Sequence, residues 1–227
     1  ESSPELVLDF WHGLTVHGVA VNGKAEQFTH GKDDLIRIRG RKHFSKGRQK
    51  IKVDYGGKPG VAANPPWTGG FQWSADGQGN PWIAVTCQSE GGKIFFPCKD
   101  HPSDEPDEGA AMIITVPRGL TVAGPGLLKN VKHTQTRSTF HWATGYPISN
   151  YCLVFNVGKY AKVSRDYTTV AGNRVPIDFY VLEEHQDKAE HHLEVLARTA
   201  RVLDTYFGEY PWAKAKIGIA ETAHIGR

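Results

Sequence analysis

Histidine is the side chain here with the widest chemical repertoire, and the sequence holds 11 of them. His185, His191 and His192 share one helix-patterned stretch. A zinc helix of the peptidase type needs His-Glu-x-x-His, which sets two imidazoles one turn apart with a carboxylate beside them. His191-His192-Leu193-Glu194 does not supply that register, and no His in the chain is followed by Glu. These three histidines read as exposed residues off the apolar stripe. The carboxylates Asp100, Asp104, Glu105, Asp107 and Glu108 are interrupted by Pro102 and Pro106. They lack the Asp-x-Asp-x-Asp-Gly register of a calcium loop, so a surface turn is expected. Cys87, Cys98 and Cys152 are too far apart for a zinc ribbon and read as buried free thiols, or as one bridge and one thiol. No metal ligand is assigned within the chain.

Charge gives a second candidate. Between Lys32 and Lys58 there are ten basic residues against three acids, which invites a nucleic-acid patch. Yet Arg37 and Arg39 alternate with Ile36 and Ile38, and Lys50 and Lys52 alternate with Ile51 and Val53. That alternation is what the wet face of an antiparallel hairpin produces, so no nucleic-acid partner is read.

The elements that would position such groups are mostly strands. Leu6, Leu8 and Phe10 alternate, and Leu14 to Val21 runs into Asn22-Gly23, the dipeptide favoured in two-residue hairpin loops. Leu35 to Arg39, Ile51 to Tyr55, Trp82 to Thr86, Met112 to Val116, Thr139 to Ala143, Tyr151 to Val157 and Ile177 to Val181 continue the series. Strands at this spacing predict antiparallel pairing in a sandwich or in saddle-shaped sheets. After Val181 the period changes. Ala189, Leu193, Leu196, Ala197, Ala200, Leu203 and Phe207 form one helical stripe within Glu183 to Phe207, stopped by Gly208 and Pro211. Lys216 to Ala220 then resumes a strand-like run. The expected organisation is a β domain over 1–182 and the opening of a second domain over 183–227.

One segment is more specific. Gln88 precedes the apolar run Ile94-Phe95-Phe96, the motif Pro97-Cys98-Lys99-Asp100-His101-Pro102, and a strand ending Ile113-Ile114-Thr115-Val116-Pro117. This order resembles the aminopeptidase N and leukotriene hydrolase family of zinc peptidases. Leu14 to Gly23 looks like that family's opening hairpin, Ile148 to Gly158 is similar to a later strand, and Phe207-Gly208-Glu209-Tyr210-Pro211-Trp212 resembles its entry to the catalytic domain. The resemblance implies an N-terminal β-saddle domain followed by the first helix and strand of a thermolysin-like α/β catalytic domain.

It also implies zinc as the parent's cofactor, held outside these residues, with a peptide as substrate and the parent's own catalytic domain as partner in cis. Gln88 would accept a hydrogen bond from the substrate's amino terminus, across an expected cis bond to Ser89. Ile225, Gly226 and Arg227 would sit where the family's Gly-x-Met-Glu-Asn substrate-binding motif begins. The piece alone is expected to be inactive.

Composition agrees with a folded chain. Of 227 residues, 39% are hydrophobic and 11% aromatic, which excludes a disordered chain, and the net charge of 27 minus 24, or +3, selects no partner. Apolar stretches such as Ala110 to Val116 fall far below the roughly 20 residues that span a bilayer. The chain opens Glu1-Ser2-Ser3-Pro4 and its one Met is Met112, so it reads as an excised piece; nothing in it reports a compartment. The alternative reading is a non-catalytic β-sandwich binding module, for carbohydrate or protein, whose Trp67, Trp73 and Trp82 would stack on sugar rings.

Overall fold

The structure, a computed structural model, describes residues 2–224. It is mostly β, with strands β1 (Ser3–Asp9), β2 (Thr15–Val21), β3 (Lys24–Ala25), β4 (Gln27–His30), β5 (Leu35–Phe44), β6 (Ile51–Gly56), β7 (Gly70–Ala75) and β8 (Pro81–Thr86). There follow β9 (Ala111–Pro117), β10 (Thr121–Ala123), β11 (Leu127–His133), β12 (Arg137–Ala143), β13 (Asn156–Gly158), β14 (Tyr160–Thr168), β15 (Arg174–Leu182), helix α1 (Ala189–Phe207) and β16 (Ile217–Ala220). The chain forms two compact units, Glu1–Phe71 with Thr86–Asp104, and Gln72–Val85 with Glu105–Arg227.

The first unit holds the sheets β1-β5-β4 and β3-β2-β6. Their alternating apolar residues converge on one core, in which Phe10, Ile36 and Ile38 are fully buried among Leu14, Val19, Val21 and Phe44. The basic run lies on the opposite face as the alternation requires. Arg37 pairs with Asp33 at 2.7 Å and Arg39 with Glu5 at 3.1 Å, while Lys50 and Lys52 are exposed on and beside β6. The β2-β3 hairpin turns through Asn22 at φ 51° and Gly23 at φ 82°, the paired left-handed conformation that Asn-Gly was expected to supply. No atom lies within 4 Å of a Cβ built on Gly23. Gly23→Ala is therefore expected to lose about 1 kcal/mol from backbone strain alone, read as a lower urea midpoint at constant slope.

The second unit holds β10-β13-β8-β7, β11-β12-β9 and β14-β15-β16. One core gathers Trp142, Val122, Val157, Tyr160, Tyr180 and Leu182. Another lies under α1, where Ile177, Phe179 and Val181 of β15 meet Ala189, Leu193 and Ala200. Among the strands described, all pairings are antiparallel except that of β15 with β16, and the sheet β14-β15-β16 takes strands from both sides of position 182.

Two elements differ from expectation. Tyr151 to Val157 is not one strand: Asn150–Cys152 makes a 3-10 turn, with the Ser149 hydroxyl accepting from the Tyr151 amide at 3.3 Å, and pairing begins only at Asn156. The run Tyr-Cys-Leu-Val-Phe has no alternation to hold it in a sheet. The predicted helix also opens as a 3-10 turn, Glu183–Lys188, before α1. Its stripe then departs from the predicted path after Ala200. Leu203 and Phe207 are 52% and 84% exposed, and the inward position is taken by Asp204, 3% exposed.

Candidate functional site

Gln88 lies at the first turn after β8, partly exposed, between buried Cys87 and exposed Ser89. The turn is closed by the Gly91 amide donating to the Cys87 carbonyl at 2.8 Å. The Gln88–Ser89 peptide is not cis; the cis peptide among the described residues is Pro65–Pro66. What turns the chain instead is Ser89 in the left-handed region, φ 68°, followed by Gly91 at φ 82°. This corrects the expectation taken from the resemblance: the Gln88–Ser89 peptide is trans, and the turn is made by positive φ at Ser89 and Gly91.

Around that turn the backbone is clamped from several directions. The Glu90 carboxylate accepts from the Gly69 amide, the Thr86 hydroxyl donates to the Thr68 carbonyl at 3.0 Å, and the Ser89 hydroxyl donates to the Trp67 carbonyl at 3.4 Å. Asp100 accepts from the Gly92 amide at 3.1 Å. A Cβ on Gly91 would lie 2.1 to 2.4 Å from the Asp100 carboxyl group, so only glycine lets that carboxylate close in. Asp100 is itself placed by Asp9, whose carboxylate accepts from the Asp100 amide at 2.9 Å.

A bridge between Asp9 and Cys98, with bonds of 2.8 and 3.1 Å, ties the Pro97-Cys98-Lys99-Asp100 segment to the end of β1. The motif is thus scaffolding for the Gln88 turn. Burial, helped by the neighbouring Asp100 and Asp9, pushes the Cys98 thiol well above its ordinary range, and burial likewise raises Asp100 against the pull of the Gly92 amide and Lys93. None of Cys87, Cys98 and Cys152 forms a disulfide, and Cys152 is exposed where a buried thiol was expected; the Cys98 thiol, so disfavoured as thiolate, is a packing residue rather than a nucleophile.

The other expected site residues, Ile225, Gly226 and Arg227, lie outside the described residues. The chain leading to them is held by contacts that the sequence did not signal. After β16, the Glu221 carboxylate accepts from the Leu182 amide at 2.9 Å and meets His185 Nδ1 at 2.6 Å. The Glu221 carbonyl accepts from the Tyr160 hydroxyl at 2.7 Å and from Trp82 Nε1 at 3.2 Å. His224 Nδ1 meets the Gln72 amide oxygen, and burial lowers that imidazole's affinity for a proton. A Glu followed two residues later by Ala and then His carries no pattern that points to such a hub.

Two of the three helix-region histidines fall as read, and His185 differs, being partly buried in the 3-10 turn before α1. His191 and His192 are exposed on α1, the latter edge-on to Phe179, and His185 pairs with Glu221. Among the described residues no three His, Cys, Asp or Glu side chains converge to hold a metal ion. Trp67 and Trp73 are each about half exposed, whereas Trp82 turns inward to bond Tyr160.

The chain is similar in fold to solved zinc peptidases. The M1 zinc metallopeptidase from Deinococcus radiodurans is 21% identical, with a TM-score of 0.77 over 97% of this chain and 48% of that one. A mutant M1 zinc metallopeptidase from the same organism, bound to a Tyr-Ser-Ala substrate, is 22% identical with a TM-score of 0.78 over 97% and 48%. In sequence the chain is 22% identical over 213 residues to Tricorn protease-interacting factor F2 from Thermoplasma acidophilum, covering 94% of this chain and 24% of that protein. No family model matches the chain. It spans about half the length of the solved structures and about a quarter of the curated relative. The antiparallel sheets and single helix are those of the N-terminal part of the M1 peptidases, so the resemblance carried by the Gln88 to Pro102 segment extends to the whole fold.

Proposed function

We propose that this chain is the N-terminal portion of a zinc-dependent aminopeptidase, with residues 1–182 as the β-saddle domain and 183–227 as the start of the catalytic domain. The observation that carries the reading is the Gln88 turn: a partly exposed amide on a backbone clamped by Glu90, Thr86 and Asp100, in a fold shared with M1 zinc metallopeptidases. An aminopeptidase must gather acceptors around a free ammonium while the first peptide carbonyl is placed for attack. The Gln88 amide oxygen supplies one such acceptor and walls the first side-chain pocket. Gln offers a dipole, not a charge, so ammonium binding also needs a carboxylate from beyond residue 224. Ile225, Gly226 and Arg227 belong to the same pocket in this reading.

The described side chains do not fit a zinc site, and no step at the metal belongs to them. When bound in the parent, zinc would polarise the scissile carbonyl and activate water. The peptide substrate and the catalytic domain in cis are the partners proposed.

The parent and the 227-residue chain, each loaded with zinc and assayed on an aminoacyl-anilide, test the proposal. Turnover by the parent alone is expected; turnover by the isolated chain, or none by the parent, overturns it. Within an active parent, Gln88→Ala is expected to lower kcat/KM about tenfold through KM, the low end for a hydrogen bond to a charged group. Gln88→Glu should retain or improve KM. A parent indifferent to both would remove Gln88 from the site. Saturable glycan binding that is lost on Trp67→Ala would instead favour the binding-module reading.

A further inference from the structure

The second unit contains a cavity of about 450 Å³ that Gln88 does not line. It opens beside β16 and is walled by Tyr146, Ile148, Val154 and Tyr210, an aromatic and aliphatic lining. Two hydrogen-bond donors line it from buried positions. Lys216 is 9% exposed; its Nζ donates to the Gly124 carbonyl at 3.1 Å and stands 4.9 Å from the Trp142 ring centre. Tyr180 is 3% exposed, and its buried hydroxyl has no hydrogen-bond partner among the described residues.

Both groups ask for an acceptor. A lysine amine has three protons to place, and a buried hydroxyl without a partner is a rare and costly feature in a folded protein. The carboxylate that acts on Lys216, that of Asp178, is already engaged by Lys162 Nζ at 2.9 Å and the Ser164 hydroxyl at 2.7 Å. Two lysines and one aspartate leave one positive charge beside the cavity. A single incoming negative charge would neutralise it and give the Tyr180 hydroxyl its acceptor. Glu105 acts on Cys152, another lining residue, so a multiply charged anion would meet repulsion at that side.

We propose that this cavity binds a small monocarboxylate with an aromatic or branched apolar body, its carboxylate received by Lys216 Nζ and the Tyr180 hydroxyl. The volume suits a ligand of that size, and the walls suit its body. The site uses neither Gln88 nor zinc, although it takes Tyr210 and Lys216 from the segment that the aminopeptidase reading assigns to the catalytic domain.

Titration of the 227-residue chain with benzoate, benzamide and inorganic phosphate, by calorimetry and by NMR of the Lys216 and Tyr180 side chains, tests it. Benzoate is expected to bind saturably at one site in the millimolar range or tighter, with benzamide and phosphate at least about tenfold weaker. Lys216→Met and Tyr180→Phe, each checked for a native spectrum, are expected to weaken benzoate about tenfold or more. Absence of saturation, equal binding of benzamide, preference for phosphate, or benzoate affinity unchanged in a folded variant would each overturn the proposal.

Discussion

Replacing Asp204 by alanine will cost the second unit about 3–5 kcal/mol, the range for removing one partner of a buried, hydrogen-bonded charge. The carboxylate stands on the inward face of α1 at 3% exposure and organises three donors. It accepts from the Tyr167 hydroxyl at 2.7 Å, the Tyr210 amide at 2.9 Å and the Val170 amide at 3.3 Å. Alanine would leave the Tyr167 hydroxyl without its buried acceptor and release the two partly buried amides, and each buried group left unsatisfied costs about 1–3 kcal/mol. Relief from burying a carboxylate offsets part of that sum.

The loss would consume much of a typical domain stability of about 5–15 kcal/mol. Urea unfolding at constant slope measures it. Tyr167→Phe removes one donor together with its demand and should cost only about 1 kcal/mol, so the double variant should be less destabilised than the sum of the two. A loss under about 1 kcal/mol for Asp204→Ala would show that the three donors find other partners. The Asp204 bond also helps burial hold the Tyr167 hydroxyl protonated, its pKa pushed up to about 12.

Asp204 also marks where sequence reading stops. The stripe through Ala189, Leu193, Leu196, Ala197 and Ala200 was legible because apolar residues at helical spacing have one place to go. One turn later the inward residue is a carboxylate, and its acceptors' partners come from Tyr167, Val170 and Tyr210, none of which local periodicity links to it. The strands were legible where one face is wet, as with Arg37 and Arg39 in β5. The runs read as strands do not include β3, β4, β7, β10, β11 or β14. Asn22-Gly23 was legible because its conformation is local.

For the candidate site, the Gln88 to Pro102 segment could be found from its order of residues. What holds it could not: the Asp9 carboxylate on the Asp100 amide and the Glu90 carboxylate on the Gly69 amide are pairings across tens of residues. Nor does the strand-like run Lys216 to Ala220 reveal that its lysine is buried, since a charged residue at a strand end is ordinarily exposed.

That lysine should make the fold more stable in mild alkali. Burial, countered by Asp178 and aided by Lys162, lowers the Lys216 pKa to about 8, against about 10.4 for an unfolded chain. Between those values the unfolded state binds more protons than the folded one, so stability rises with pH. The charged amine is a burden below pH 8, and the burden is gone above about pH 10.4. The expected gain between about pH 7.5 and 9.5 is roughly 2 kcal/mol, since each pKa unit of difference is worth about 1.4 kcal/mol.

Tyrosines bound the rise from above. Burial raises the pKa of Tyr167 and Tyr210 to about 12, and raises Tyr160 and Tyr180 as well. An unfolded tyrosine loses its proton near pH 10, so beyond that point the folded state binds more protons and stability falls. Denaturant unfolding across this range should therefore give a maximum near pH 10. Lys216→Met removes the rising limb and leaves the falling one, and at pH 7 it should stabilise by about 2 kcal/mol, because an apolar side chain of similar length carries no charge to desolvate. A wild-type profile flat between pH 7.5 and 9.5, or an identical rise in Lys216→Met, would mean that the amine is not the group that titrates. A stabilising Lys216→Met would show that the lysine is kept at the expense of the fold, as a residue retained for binding would be.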